Sequence, residues 1–412
     1  MLRTNRSHPR SSRLNRALRL LALGATIWAP AAAPGQTPAG WRSLPANLEA
    51  HGITAEAALT IDSSWNIRGG LNTSGSNVRH LLDLSFTIDT EAMLGLEGST
   101  AFVNFQNQHG PDASADDVGD LQAFSNIDAD GRTQLAQAWF QQRLADDRLR
   151  IRVGKFDANE DFAAVELGGL FIHSSPGFSP TIVAFPSYPD PAMGLSLFYE
   201  ASDQAYIGFG LFDGSTQEGI RTGARGPSRA FRAPGDLFLA SEGGVNWQRG
   251  PDALPGRLAV GLWHHTGTFP QFAGGRESGT EGTYLVLEQL LHAADDSAQD
   301  LEARGLGAFL QVGLADESVS PISRHLAAGL LLRGPTDGRP DDALGLMISH
   351  VRLSQEMGSG LTGDDETAWE LFYRFQVNSR VVVQPDLQYI RNPGGAGLDD
   401  SLVATVRVEI SL

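Results

Sequence analysis

The 412-residue chain has no cysteine, which excludes disulfides, thiolate catalysis and Cys-based metal sites. Long apolar runs are scarce too. Apart from Leu20 to Ala33, no stretch approaches the roughly 20 apolar residues that a membrane-spanning helix needs, so a helical membrane protein is excluded. Positive charge is short: 31 Lys and Arg stand against 48 Asp and Glu, for a formal net charge of −17. No basic block could track a phosphate backbone, and nucleic acid is excluded as a partner. Catalytic signatures are missing as well, with no G-x-S-x-G elbow, H-E-x-x-H helix or phosphate loop. The one His pair, His264-His265, would point to opposite faces of a strand and could not share a metal. The reading is therefore of a non-enzyme with no metal site and no cofactor.

What is present begins with an address. Arg3, Arg6, Arg10, Arg13, Arg16 and Arg19 precede the short apolar stretch and the run Ala31-Ala32-Ala33, which reads as a secretory signal over residues 1 to about 36. Without those six arginines the net charge falls from −17 to −23. Residues 37–78 are expected to form an N-terminal periplasmic or lumenal segment, and residues 79–412 one domain with no internal linker.

That domain reads as all-β. Leu82, Leu84, Phe86 and Ile88 oppose Asp83, Ser85, Thr87 and Asp89; Leu149, Ile151 and Val153 oppose Arg148, Arg150 and Arg152. Period-two alternation of this kind marks strands with one apolar and one polar face. Three arginines interleaved with three aliphatics require a water-filled boundary on one side. The final residues alternate likewise, Leu402, Ala404, Val406, Val408, Ile410 and Leu412 against Thr405, Arg407, Glu409 and Ser411. A C-terminal strand of spanning length with inward charges predicts a transmembrane antiparallel β-barrel with short periplasmic turns and long extracellular loops, in the outer membrane of a bacterium. Tracts Gln108 to Asp120, Gly214 to Gly235, Thr268 to Gly282 and Arg391 to Asp400 are expected as long loops. Asp146-Asp147 is expected as a short turn, and a bulge or strand end is expected near Pro385. Val118 to Asp130 is expected to fold into the lumen, with Asp128 and Asp130 capping or solvated, not holding calcium.

Several strings then carry a resemblance. Val118-Gly119-Asp120-Leu121-Gln122, Ser125-Asn126-Ile127-Asp128, Trp139-Phe140-Gln141-Gln142, Val153-Gly154-Lys155-Phe156-Asp157, Phe171-Ile172-His173-Ser174-Ser175, Pro186-Ser187-Tyr188-Pro189 and Gln384-Pro385-Asp386-Leu387-Gln388-Tyr389-Ile390 occur in this order. Together they resemble the carbohydrate-selective porins of the OprB family over nearly all of the mature chain. The resemblance implies about sixteen strands and passive diffusion of small sugars into the periplasm. A general diffusion barrel without sugar preference is the alternative, and a secreted polysaccharide-binding β-protein a more distant one. The partners implied are mono- or disaccharides, outer-membrane lipids and the barrel-assembly machinery.

A sugar channel needs groups that make paired hydrogen bonds to hydroxyls, and rings for apolar C–H faces. The candidate pore residues are Arg150, Arg152, Asp157, Glu288, Glu370, Arg374, Gln384, Asp386 and Gln388, all on polar faces or beside them. Asp157 or Glu288 is expected to steady the two arginines. Phe102, Phe309 and Phe372 are candidate stacking platforms, with packing beneath an inward-folded loop as the other reading. Arg407 and Glu409 are expected on the inner wall.

Overall fold

The computed structural model describes residues 48–226, 235–250, 253–294 and 300–411. The expected signal segment, residues 37–47, part of the Gly214 to Gly235 tract and Leu412 lie outside the described residues.

Alternation becomes a closed antiparallel barrel of sixteen strands. They are β1 Ile53–Arg68, β2 Asn77–Asp89, β3 Ser99–His109, β4 Arg132–Leu144, β5 Leu149–Phe156, β6 Ala192–Ser202, β7 Ala205–Asp213, β8 Leu237–Arg249, β9 Leu254–Pro270, β10 Arg276–Ala293, β11 Gly305–Ala315, β12 Ile322–Arg333, β13 Ala343–Leu353, β14 Asp365–Asn378, β15 Val381–Arg391 and β16 Ser401–Ser411. Each strand pairs with its sequence neighbour, and β1 closes the ring on β16 from Ala58↔Ser411 to Arg68↔Leu402. Closure leaves no unpaired edge, which is what a sheet in lipid requires.

Two expectations are corrected here, and a third is located. The barrel begins at Ile53, so much of the supposed 37–78 segment is wall. Thr268 to Gly282 is largely strand, because β9 and β10 run on to Pro270 and start again at Arg276. A register shift does lie near Pro385, between Gln376 and Asn378 opposite Val382 and Val381 at the start of β15, but the proline itself is not bulged. It pairs in register with Val406, and the pairing to β14 keeps one register on either side of it, Phe372↔Asp386 and Phe375↔Val383. The proline lacks an N–H and interrupts hydrogen bonds without shifting the strand.

The outer wall is a band of aliphatics such as Leu262 (60% exposed), Leu346 (51%) and Leu387 (44%). Trp65, Trp369 and Tyr389 stand on it toward the loop end, and Tyr199, Trp247, Tyr373 and Phe375 toward the turn end. Two aromatic belts flanking an apolar band are the pattern of a barrel in a bilayer. The turn end is tight: Ala145, Asp146 and Asp147 take positive φ between β4 and β5, and the helix α1 Thr90–Leu94 is capped by Asp89, whose carboxylate accepts the Ala92 N–H at 2.9 Å. The opposite end carries long loops, chiefly L2 (110–131), L3 (157–191) and L4, described over 214–226 and 235–236. Apolar burial is concentrated inside the barrel.

Candidate functional site

The lumen is shaped by L3. Strands β9 to β13 present small inward residues, among them Ala259, Gly307, Gly313, Ala327 and Ala343. A β-carbon on Gly307 would stand 2.8 Å from Leu167 Cδ2, and one on Gly313 2.0 Å from Ser179 Oγ, so these glycines let the loop lie against the wall. Phe162, Leu167 and Phe171 fill the space, with Phe171 edge-on to Phe309 (5.8 Å) and Phe372 (5.0 Å). Such ring pairs each contribute about 0.5–1.5 kcal/mol beyond area burial.

Glutamates on this wall hold the loops by their backbones. Glu242 accepts from Ala163 N–H (2.9 Å), Glu288 from Leu167 N–H (2.8 Å), and Glu370 from Ile172 N–H (2.7 Å) and His173 N–H (3.0 Å). Glu366 does the same for L2, accepting from Leu121 N–H (2.9 Å) and Gln122 N–H (3.1 Å). Charge-assisted bonds of this kind are worth roughly 1.5–3 kcal/mol each. Arg257 pairs with both Glu242 and Glu288 at 3.2 Å, so those carboxylates are not left uncompensated. Burial pushes the His173 imidazole down to about 3, and it is neutral.

The opposite wall, from β16 through β1 to β5, is polar. Asp62 receives a bidentate pair from Arg407 (2.7 and 2.9 Å) and a bond from Ser125 of L2 (2.8 Å). Arg79 on the next strand reaches Asp128. Burial raises the Asp128 carboxyl to about 6 against the pull of Arg79 and Ser114. Its Oδ2 accepts from Ser114 N–H and Oγ–H, an anchoring role within the loop. Phe102 stacks on Trp139 at 5.1 Å.

L3 begins with a single 3₁₀ turn, Ala158–Glu160, whose cap Asp157 accepts from Asn159 N–H and Tyr188 N–H, both at 2.8 Å. This turn stands between two lumenal cavities. One, of about 620 Å³, is lined by Thr60, Gln106, His173, Arg407 and, from the turn, Asp157 and Asn159. The other, of about 430 Å³, is lined by Arg143, Arg150, Phe198, Tyr206 and, from the turn, Glu160 and Asp161. Glu160 accepts from Gln137 Nε2 (2.6 Å) and Arg152 Nη1 (2.8 Å). Arg152 also lies over Trp139 at 4.4 Å, and Arg150 over Phe198 at 4.6 Å. Burial raises the Glu160 carboxyl above an ordinary glutamate, opposed by Gln137, with Asp157 adding to the rise and Arg152 opposing it.

The candidates therefore fall in different places. Arg150, Arg152, Asp157 and Phe102 come together around this turn. The carboxylates that steady the arginines are Asp161 on Arg150 (2.7 Å) and Glu160 on Arg152, not Asp157 or Glu288 as expected. Glu288, Glu370 and Gln388 are buried loop anchors; Gln388 Nε2 donates to Phe124 O at 2.8 Å and to Asp386 at 3.1 Å. Gln384 Nε2 donates to Leu170 O at 2.9 Å. Arg374 makes a bidentate pair with Glu409, both bonds 2.7 Å. Phe309 and Phe372 are buried under L3.

Sequence reasoning missed L3, Glu160, Asp161 and Glu242. The signal was available: Phe162 to Pro191 mixes aromatics with Gly, Ser and Pro and never alternates. A long apolar loop in a barrel buries itself in the lumen. The chain's one lysine also went unread. Lys155 Nζ donates to the carbonyls of Leu135 (2.6 Å), Gly223 and Arg225 (3.3 Å), tying L4 over the place where β5 stops short and L3 turns inward.

Comparison with known proteins agrees with this architecture. The model of a family described as "Carbohydrate-selective porin, OprB family" matches residues 74–412. Porin B of Pseudomonas aeruginosa is 23% identical over 375 residues, covering 79% of this chain and 80% of that protein. A putative porin QuiX of Acinetobacter baylyi is 21% identical over 413 residues, covering 90% and 92%. Among solved structures, the high-pH structure of Pseudomonas putida OprB superposes with a TM-score of 0.78 at 20% identity, covering 90% of this chain and 97% of that one. The low-pH structure gives 0.60 at 18%, covering 91% and 98%.

Proposed function

We propose, from the premise that this chain belongs to the carbohydrate-selective porins of the OprB family, that its solute crosses on the polar half of the lumen, past the turn Ala158–Glu160. The protein is an outer-membrane channel for sugars, not an enzyme. The finer reading rests on one observation: that turn separates the two cavities, with Glu160 held by Arg152 and Gln137. A monosaccharide at this point meets carboxylate acceptors and guanidinium and amide donors in a small arc. The stacked Phe102 and Trp139 rings lie beside it and suit the C–H face of a pyranose. These groups replace the water a sugar sheds. The hold must stay weak, because a site that binds tightly does not release its solute. Diffusion down the gradient needs no energy source.

In this reading residues 1–36 are removed on export, and barrel-assembly machinery inserts the mature chain among outer-membrane lipids. Liposome swelling with monosaccharides, disaccharides and amino acids tests the solute class. Monosaccharides should enter faster than amino acids of equal size. Rates that follow size alone would contradict sugar preference in this channel.

A further inference from the structure

The loop end of the outer wall carries a charge arrangement that neither the lumen nor the fold uses. Arg324 and Arg352 are direct cross-strand partners on β12 and β13, both exposed and both on the lipid face. Like charges directly opposite on neighbouring strands destabilise a sheet. Among the described residues neither side chain has an ion pair or a hydrogen bond. The nearest acid in register is Asp365, opposite Arg352, and it is committed to Arg391, with His350 at 3.8 Å. In a chain of net charge −17, two unneutralised arginines side by side call for an anion from outside.

Their position says which anion. On β13, Arg352 lies four residues toward the loop end from Ile348, the partner of Trp369, which packs on Tyr389 at 5.5 Å. That aromatic pair marks the boundary between hydrocarbon and headgroups, so the guanidinium groups stand at headgroup height in the outer leaflet. We infer that Arg324 and Arg352 form a binding site for a lipid-borne phosphate, the sugar phosphate of a lipopolysaccharide, whose acyl chains lie along the apolar wall beneath. Paired guanidinium forks match phosphate oxygens in a plane.

The test titrates purified lipopolysaccharide onto the delipidated, detergent-solubilised full barrel, with enzymatically dephosphorylated lipopolysaccharide and inorganic phosphate as separate arms. The phosphorylated lipid should bind. The dephosphorylated lipid should bind far less, and phosphate alone should not compete at equimolar concentration. R324A/R352A should lower affinity about thirtyfold, from about fivefold per arginine at a membrane surface, while R324K/R352K, which keeps the charge without the planar fork, should fall between the native and alanine values. Heat-modifiable gel mobility verifies the fold, and if the double variant does not assemble, each single alanine should lose about fivefold. Native affinity in the folded alanine variants, or equal binding of the dephosphorylated lipid, overturns the site; phosphate binding as tightly as the lipid overturns the lipid as its source. Sugar entry into liposomes should be unchanged by these variants, so this result is read separately from the solute route.

Discussion

The two halves of the lumen use the same residue types for opposite purposes. On β8, β10 and β14 the inward glutamates are buried and spend their lone pairs on the backbone N–H groups of L2 and L3. On the facing wall and on L3 itself, Arg150, Glu160 and Asp161 line the smaller cavity, where Asp161 pairs with Arg150 and Glu160 with the buried Arg152. The difference arises from what stands opposite each wall. Small residues on β9 to β13 admit the apolar loop, and the loop covers every polar group near it. On β4 and β5 larger polar side chains meet L3 through side-chain bonds instead, Gln137 and Arg152 to Glu160 and Arg150 to Asp161.

The most damaging break removes the docks of the packed half. E288A/E370A deprives three buried N–H groups of their acceptors, each left unsatisfied at about 1–3 kcal/mol, and leaves Arg257 with one fewer carboxylate. L3 should come off the wall, giving several-fold higher single-channel conductance and loss of sugar discrimination in planar bilayers. Unchanged conductance in a folded double variant would mean that packing alone holds the loop.

Gly313→Val attacks the same half by crowding, because its β-carbon meets Ser179 Oγ and Thr181 Oγ1 at 2.0 and 2.4 Å. Overpacking of this kind costs about 1–3 kcal/mol, read as a lower unfolding temperature of the extracted barrel. Arg152→Ala acts on the open half instead. It should weaken sugar block of the current about tenfold, the loss of one charge-assisted contact, and lower the melting temperature as well, because Arg152 is buried between Glu160 and Trp139. Acidification offers the smallest effect. Glu160 protonates at higher pH than an ordinary glutamate because burial raises it, so its hold on Arg152 weakens on acidification before ordinary glutamates protonate. Sugar block should decline as the native channel is acidified and stay flat in Glu160→Gln.

Much of the barrel was legible because period-two alternation encodes which face meets lipid. Leu82 to Asp89 and Leu402 to Glu409 face as their alternation predicts. The inward direction of Glu288, Glu370, Gln384 and Gln388 was readable on the same ground. Their roles were not, since direction is a local property and contact depends on which loop enters the lumen. L3 has no period to read, and its destination is set by glycines and alanines more than a hundred residues away. Asp157 was singled out by its neighbours, yet the acids on the arginines are the next ones along, Glu160 and Asp161. A strand's period does not extend into the turn where those acids sit.

The absence of cysteine allows the division of the lumen to be measured directly. Gln106→Cys lies on the polar half and lines the larger cavity, while Gln388→Cys lies on the packed half with no exposure. Both are inward-facing glutamines in the same barrel. Reaction of each with a small charged thiosulfonate reagent, followed as a change in single-channel current with and without glucose, separates passage from packing. The division described here predicts rapid modification of Gln106→Cys that glucose slows, and none of Gln388→Cys in the folded channel. Glucose-protected modification of Gln388→Cys, with Gln106→Cys inert, would contradict it.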